Sequence, residues 1–203
     1  MFGRIKRWLL GAAAAGAVAS GVYLASPQPE TVWLVTGFGT YVGTAPFTQT
    51  KSELEALGYR VSIKRHNEGD DFTSLPDVLI GHSMGGNAVL KATQRFIDVC
   101  NAKSKKVEDR VACYEKTLPR LVVSIDAGRY PLYSFAPSAA TVRCVSLYDP
   151  LHPIGGQKVY PNRRTGRECE NYRIRGTIHI GMPAYQKVVK VVTRTIQEGT
   201  KHD

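Results

Sequence analysis

Asp77-Val78-Leu79-Ile80-Gly81-His82-Ser83-Met84-Gly85-Gly86-Asn87 is the stretch that decides how this chain folds. Val78-Leu79-Ile80 predicts a short buried strand, and the pattern from Asn87 to about Val99 predicts a helix. Between them, Gly81-x-Ser83-x-Gly85 fits the pattern G-x-S-x-G. A serine on so sharp a strand-to-helix turn needs glycines on either side, because the two backbones pass closer than a Cβ allows. The turn lifts the Ser83 hydroxyl above the sheet edge, near the positive end of the following helix. It also aims the Met84 N–H at the place where an oxyanion would form. A five-residue pattern also matches by chance in ordinary glycine loops. Here strand, turn and helix agree, which favours the catalytic reading.

Working outward, strand and helix patterns alternate, which implies an α/β fold with a mostly parallel sheet of about six strands and helices on both faces. Thr31–Thr36, Arg60–Lys64, Val78–Gly81, Leu121–Ile125, Val142–Tyr148 and Asn171–Arg175 are the expected strands. Thr48–Leu57 reads as a short helix that buries Leu54 and Leu57 and stops at Gly58. The last helix, Pro183–Gln197, places Tyr185, Val188, Val189, Val192 and Ile196 on one face, with Lys187, Lys190 and Arg194 opposite. Asn101–Pro119 is charged, flanked by Cys100 and Cys113, and expected to cover one edge.

The elbow, the glycine turn Thr36-Gly37-Phe38-Gly39 and the position of His179 together resemble the α/β-hydrolase superfamily of serine esterases, lipases and thioesterases. The resemblance runs from about Thr31 to the C-terminus and implies a trimmed member whose first strand corresponds to the third of a full fold. It implies Ser83 as nucleophile, with acid and histidine following in that chain order. His179, between the last strand and the last helix, stands where the superfamily places its base; the rival is His152. His82, inside the elbow, is expected to direct its side chain away from the reacting centre. The acid is expected at Asp149, after the next-to-last strand, with Asp126, one strand earlier, as the alternative. Each also reads as an ordinary turn or cap residue. The oxyanion donors are expected to be the backbone N–H groups of Met84 and Phe38. Phe38, Tyr41, Phe47, Tyr130, Tyr133 and Phe135 fall near strand ends and suit either an acyl pocket or the core.

Residues 1–29 read as a separate unit. Arg4, Lys6 and Arg7 precede an uncharged run from Trp8 to Ala25, with a small-x-small site at Ala17-Val18-Ala19. The pattern predicts a signal peptide or N-terminal membrane anchor plus tether, placing a hydrolase domain of residues 30–203 outside the cytoplasm, periplasmic, secreted or membrane-anchored. Cys100, Cys113, Cys144 and Cys169 suit two disulfides, with the sequence-local pairing Cys100–Cys113 and Cys144–Cys169 preferred over two alternatives. No C-x-x-C pair or metal-spaced histidines support a zinc site. No metal or organic cofactor is indicated.

The formal charge is +10, of which the three leader cations are part. Lys103, Lys105 and Lys106, and Arg163, Arg164 and Arg167, form basic clusters that suit an anionic membrane surface or simply a solvated face. No nucleic-acid motif accompanies them. The expected activity is cleavage of a carboxylic ester or thioester, of a small molecule or lipid, through an acyl-enzyme. Acyl transfer to an alcohol by the same triad, and a non-catalytic envelope binding protein on the same fold, are the alternatives. The sequence leaves the oligomeric state open.

Overall fold

The computed structural model describes residues 29–37, 45–128 and 135–199, with the backbone alone at 69 and 70. Six strands form one sheet: β1 Thr31–Thr36, β2 Arg60–Arg65, β3 Val78–His82, β4 Leu121–Ile125, β5 Arg143–Tyr148 and β6 Glu170–Arg173. Their order is β2-β1-β3-β4-β5-β6, and every neighbouring pair is parallel. This is the sheet of a trimmed α/β-hydrolase core. All strands therefore end at the same edge. The order reverses between β1 and β3, since β2 lies beyond β1 on one side and β4 follows on the other. At such a switch point the loops leave in opposite directions and open a crevice at the carboxyl ends of the strands.

Burial explains which strands are central. Every residue of β3 and β4 is buried, as continuous apolar runs sandwiched between two helical layers must be. At the edges, β2 and β6 are mostly exposed or half-exposed. Alternate side chains feed two cores. Val78, Ile80, Val123 and Ile125 pack with Leu54 of α1 (Thr48–Ala56) and with Val188, Val192 and Ile196 of α4 (Gln186–Gly199). Leu79 and Val122 pack on the opposite face with Val89, Leu90 and Ile97 of α2 (Met84–Lys103).

Three local expectations change. Leu57 is 45% exposed, because α1 ends at Ala56 and Leu57 falls on its cap, turned out of the apolar face. The last helix is broken: Met182–Ala184 form a 3₁₀ turn, and Tyr185, in an extended conformation, separates it from α4. Asn101–Pro119 becomes the end of α2 followed by α3 (Val107–Thr117), which buries none of its residues. It packs on α2, tied there by the Cys100–Cys113 disulfide and by the Tyr114 hydroxyl on Asn101. Cys144 and Cys169 form the second disulfide, which joins β5 to the segment entering β6.

The expected address also changes. Among the described residues no helix is long and apolar enough to cross a membrane. The apolar run expected to anchor the chain, residues 8–25, lies outside the described residues. The exported or membrane-anchored location is accordingly withdrawn.

Candidate active site

β3 runs directly into α2 through Ser83, whose backbone is left-handed at φ 58° and ψ −123°. Close approach accounts for the glycines around it. A Cβ on Gly81 would lie 2.1 Å from the Gly85 carbonyl oxygen, and one on Gly85 would lie 2.1 Å from that of Val35. The turn is therefore wedged between its own helix and β1. A Cβ on Gly37 would come within 2.6 Å of the Ser83 Cβ, so the chain leaving β1 passes over the serine. Phe38 lies outside the described residues, as do Tyr41, Tyr130 and Tyr133. Phe47 is fully buried in the core, and Phe135 bridges to Tyr160.

Ser83 Oγ is 2.8 Å from His179 Nε2, and His179 Nδ1 is 2.6 Å from Asp126 Oδ2. These three residues come from the ends of β3 and β4 and from the loop after β6, and their relay of contacts is that of a Ser-His-Asp triad. Asp126 too has a left-handed backbone, φ 46°. It stands one residue past β4, where its N–H donates to Leu147 O at 2.6 Å. Main chain links nucleophile and acid: the Ser83 N–H donates to Ile125 O at 2.9 Å, and the Gly128 N–H to Ser83 O at 3.1 Å. The buried Asn87 amide holds Gly128 O at 2.9 Å.

The carboxylate beside His179 is thus that of Asp126 and not of Asp149, the acid expected first. Asp149 follows β5 and is buried, but its Oδ1 turns back to accept from the Leu151 N–H at 3.1 Å. It serves the acid by its main chain, since the Asp149 N–H donates to Asp126 Oδ1 at 3.3 Å. The Gly156 N–H reaches the same oxygen at 2.6 Å. Gly155 and Gly156 sit where a side chain has no room. Gly156 has φ 81° and a Cβ there would lie 2.1 Å from Asp149 O; a Cβ on Gly155 would lie 2.5 Å from His179 Nδ1.

His152 is not the base. Its Nδ1 bonds Asp126 Oδ2, the same oxygen that meets His179, and its Nε2 is 2.8 Å from the Thr177 carbonyl oxygen. Burial alone would push the Asp126 carboxyl up. The hydrogen bonds from His179 and His152, and the charge on those imidazoles, outweigh it and hold the group below the ordinary carboxylate range. For His152, burial works against the cation. The Thr177 carbonyl, the Asp126 hydrogen bond and the charges of Asp126 and Asp149 overcome that and raise it above the usual histidine value.

His82, expected to turn away from the centre, instead lies against it. Its ring centroid is 4.9 Å from that of His179, and its Nε2 is 2.8 Å from the His179 carbonyl oxygen. That partner accepts only, so Nε2 carries the proton. Nδ1 is then a buried acceptor without a partner. Burial first, and the neighbouring His179 next, lower His82 to about 4; it is a neutral shelf beneath the base.

Asp126, His152 and His179 are close enough together to be tested as a metal site. They do not fit one. Ligands at about 2.0–2.2 Å from a tetrahedral ion stand roughly 3.3 Å apart, whereas His179 Nδ1 and Asp126 Oδ2 are at 2.6 Å, a hydrogen bond. Gly155 fills the remaining space beside both.

A parallel sheet with an elbow serine at the switch point and a triad along one edge defines an α/β-hydrolase-like fold with serine-hydrolase geometry. Two solved structures show how the chain relates to known folds. Est1E from Butyrivibrio proteoclasticus superposes with a TM-score of 0.54 at 10% identity, over 88% of this chain and 91% of that one. The esterase domain of a Rhodothermus marinus protein gives 0.52 at 14% identity, over 85% and 86%. At these identities the likeness is one of fold. No protein-family model and no curated protein matches the chain.

Proposed function

We propose that this chain cleaves carboxylic esters or thioesters through an acyl-enzyme formed on Ser83. The observation that carries this reading is the unbroken relay Ser83 Oγ, His179 and Asp126, with contacts of 2.8 and 2.6 Å. Serine alone is a weak nucleophile, and a histidine base within hydrogen-bonding reach is what activates it. His179 takes the hydroxyl proton as Ser83 Oγ attacks the carbonyl carbon, then gives it to the departing alcohol or thiol. Asp126 stays ionised and stabilises the imidazolium. The oxyanion develops beside the Met84 N–H, which opens α2 and has no intrahelical partner. The second donor in this proposal is Phe38 N–H, next to the close approach of Gly37. Water, activated by the same histidine, releases the acid. One of the two similar structures is an esterase domain, which agrees with an ester-type substrate.

A fluorophosphonate probe tests this without knowledge of the natural substrate. Wild-type protein is expected to be labelled covalently and to hydrolyse p-nitrophenyl acetate. Ser83→Ala is expected to abolish labelling and to lower turnover by about a thousandfold or more. Wild-type protein that resists the probe, or Ser83→Ala that retains turnover, would overturn the proposal.

A further inference from the structure

The triad accounts for one of the two histidines on Asp126. His152 is 6% exposed and bonds on both sides. Its Nδ1 meets Asp126 Oδ2 and its Nε2 meets Thr177 O. A backbone carbonyl only accepts, and an ionised carboxylate only accepts. Making both bonds at once therefore requires a proton on each ring nitrogen. The groups facing this imidazole come from four elements: His82 on β3, Asp126 after β4, Asp149 after β5, and His179 with the Thr177 carbonyl after β6. Two are carboxylates. His82 is neutral and His179 is the base.

We propose that His152 is a positioning residue, a buried imidazolium that shares Asp126 Oδ2 with His179 and fixes the acid in place for the base. The inference rests on the serine-hydrolase reading above. Two consequences follow from the geometry. The carboxylate is held on one oxygen by two imidazoles and on the other by the N–H groups of Gly156 and Asp149, so it has no freedom to rotate away from His179. The second is electrostatic. A cation hydrogen-bonded to Asp126 Oδ2 favours the ionised carboxylate. That is the form that accepts from His179 Nδ1 and so leaves Nε2 free to take the Ser83 proton.

The test is a pH titration of the full chain carrying ¹⁵N-labelled histidine, read by NMR, together with fluorophosphonate labelling of His152→Ala and His152→Gln. In the wild type, both His152 nitrogens are expected to report protonation near neutral pH. His152→Ala, which frees one side of the carboxylate, is expected to slow labelling about a hundredfold. His152→Gln, whose amide still donates to Asp126, is expected to recover most of that rate. A neutral His152, or equal loss in both variants, overturns the proposal. If His152→Gln does not fold, the wild-type spectrum decides alone, because a neutral His152 near neutral pH refutes the inference. Failure of the hydrolase reading has a different signature: absence of labelling in the wild type, with the NMR titrations still readable.

Discussion

Replacing Asp126 by asparagine removes an acceptor that four donors share. His179 and His152 meet Oδ2, while the N–H groups of Gly156, at 2.6 Å, and Asp149 meet Oδ1. An amide offers one oxygen and one NH₂, so neither orientation satisfies the set. If the oxygen faces the histidines, the NH₂ is driven against the Gly156 N–H. If it is flipped, the NH₂ faces His179 Nδ1 and forces the proton onto Nε2, where Ser83 needs an acceptor. The wrong tautomer in a comparable triad, that of a serine protease, lowers kcat about 10⁴-fold. Breaking a buried, hydrogen-bonded charge set costs about 3–5 kcal/mol, or roughly 6–20 °C in thermal midpoint for a domain of this size. Asp149→Asn keeps an oxygen for the Leu151 N–H and should cost less than about 1 kcal/mol, with kcat within a few-fold. Purified variants compared by p-nitrophenyl acetate turnover and by thermal midpoint check both outcomes. A larger kcat loss in Asp149→Asn than in Asp126→Asn would refute the reasoning.

Gly155→Ala would place a methyl 2.5 Å from His179 Nδ1 and 2.8 Å from Asp126 Oδ2; a displacement of this kind is expected to reduce kcat about a hundredfold, and unchanged kcat would count against the tight loop. His82 gives the fold a pH dependence. Its folded value of about 4 lies below the unfolded value of 6.5, so the unfolded chain binds the extra proton between those values. The contribution is fully present above 6.5 and is lost as pH falls through 4, about 3 kcal/mol in all. His82→Gln, which keeps a donor for the His179 carbonyl, should flatten the denaturant-measured stability curve in that window, and an identical slope in both proteins would contradict it.

The elbow was legible because each of its requirements leaves a residue-level mark: an apolar run for a strand buried on both faces, glycines at the two contacts, and a helical pattern after the serine. The strands followed for the same reason, and so did the sequence-local disulfides. The choice of acid did not follow. A parallel sheet delivers every strand end to one edge, so Asp126 and Asp149 look alike in sequence. They differ in backbone: the left-handed turn at Asp126 aims its carboxylate at the base, while Asp149 closes on its own turn. Conformation at a non-glycine residue leaves no mark in one sequence. In the sequence His152 reads only as a rival base, since two histidines sharing one carboxylate oxygen is a fact of three dimensions. Gly155-Gly156, three residues beyond it, carried a signal of close backbone approach. The place of His82 against the base is hidden in the sequence, because alternation along a strand states which face a side chain takes, and not what the far loop lays over that face.

The triad is also uneven in its mounting. Ser83 and Asp126 close neighbouring strands whose main chains are bonded to each other, Ser83 N–H to Ile125 O and Gly128 N–H to Ser83 O. Their spacing is metered by the strand repeat of about 4.8 Å, which cannot change without tearing the centre of the sheet. His179 hangs from a loop beyond β6, a four-residue edge strand with little buried surface. Warming or mild denaturant will therefore loosen the proton carrier while the nucleophile and the acid remain in register, and such a molecule goes silent before it melts and recovers as soon as one loop settles.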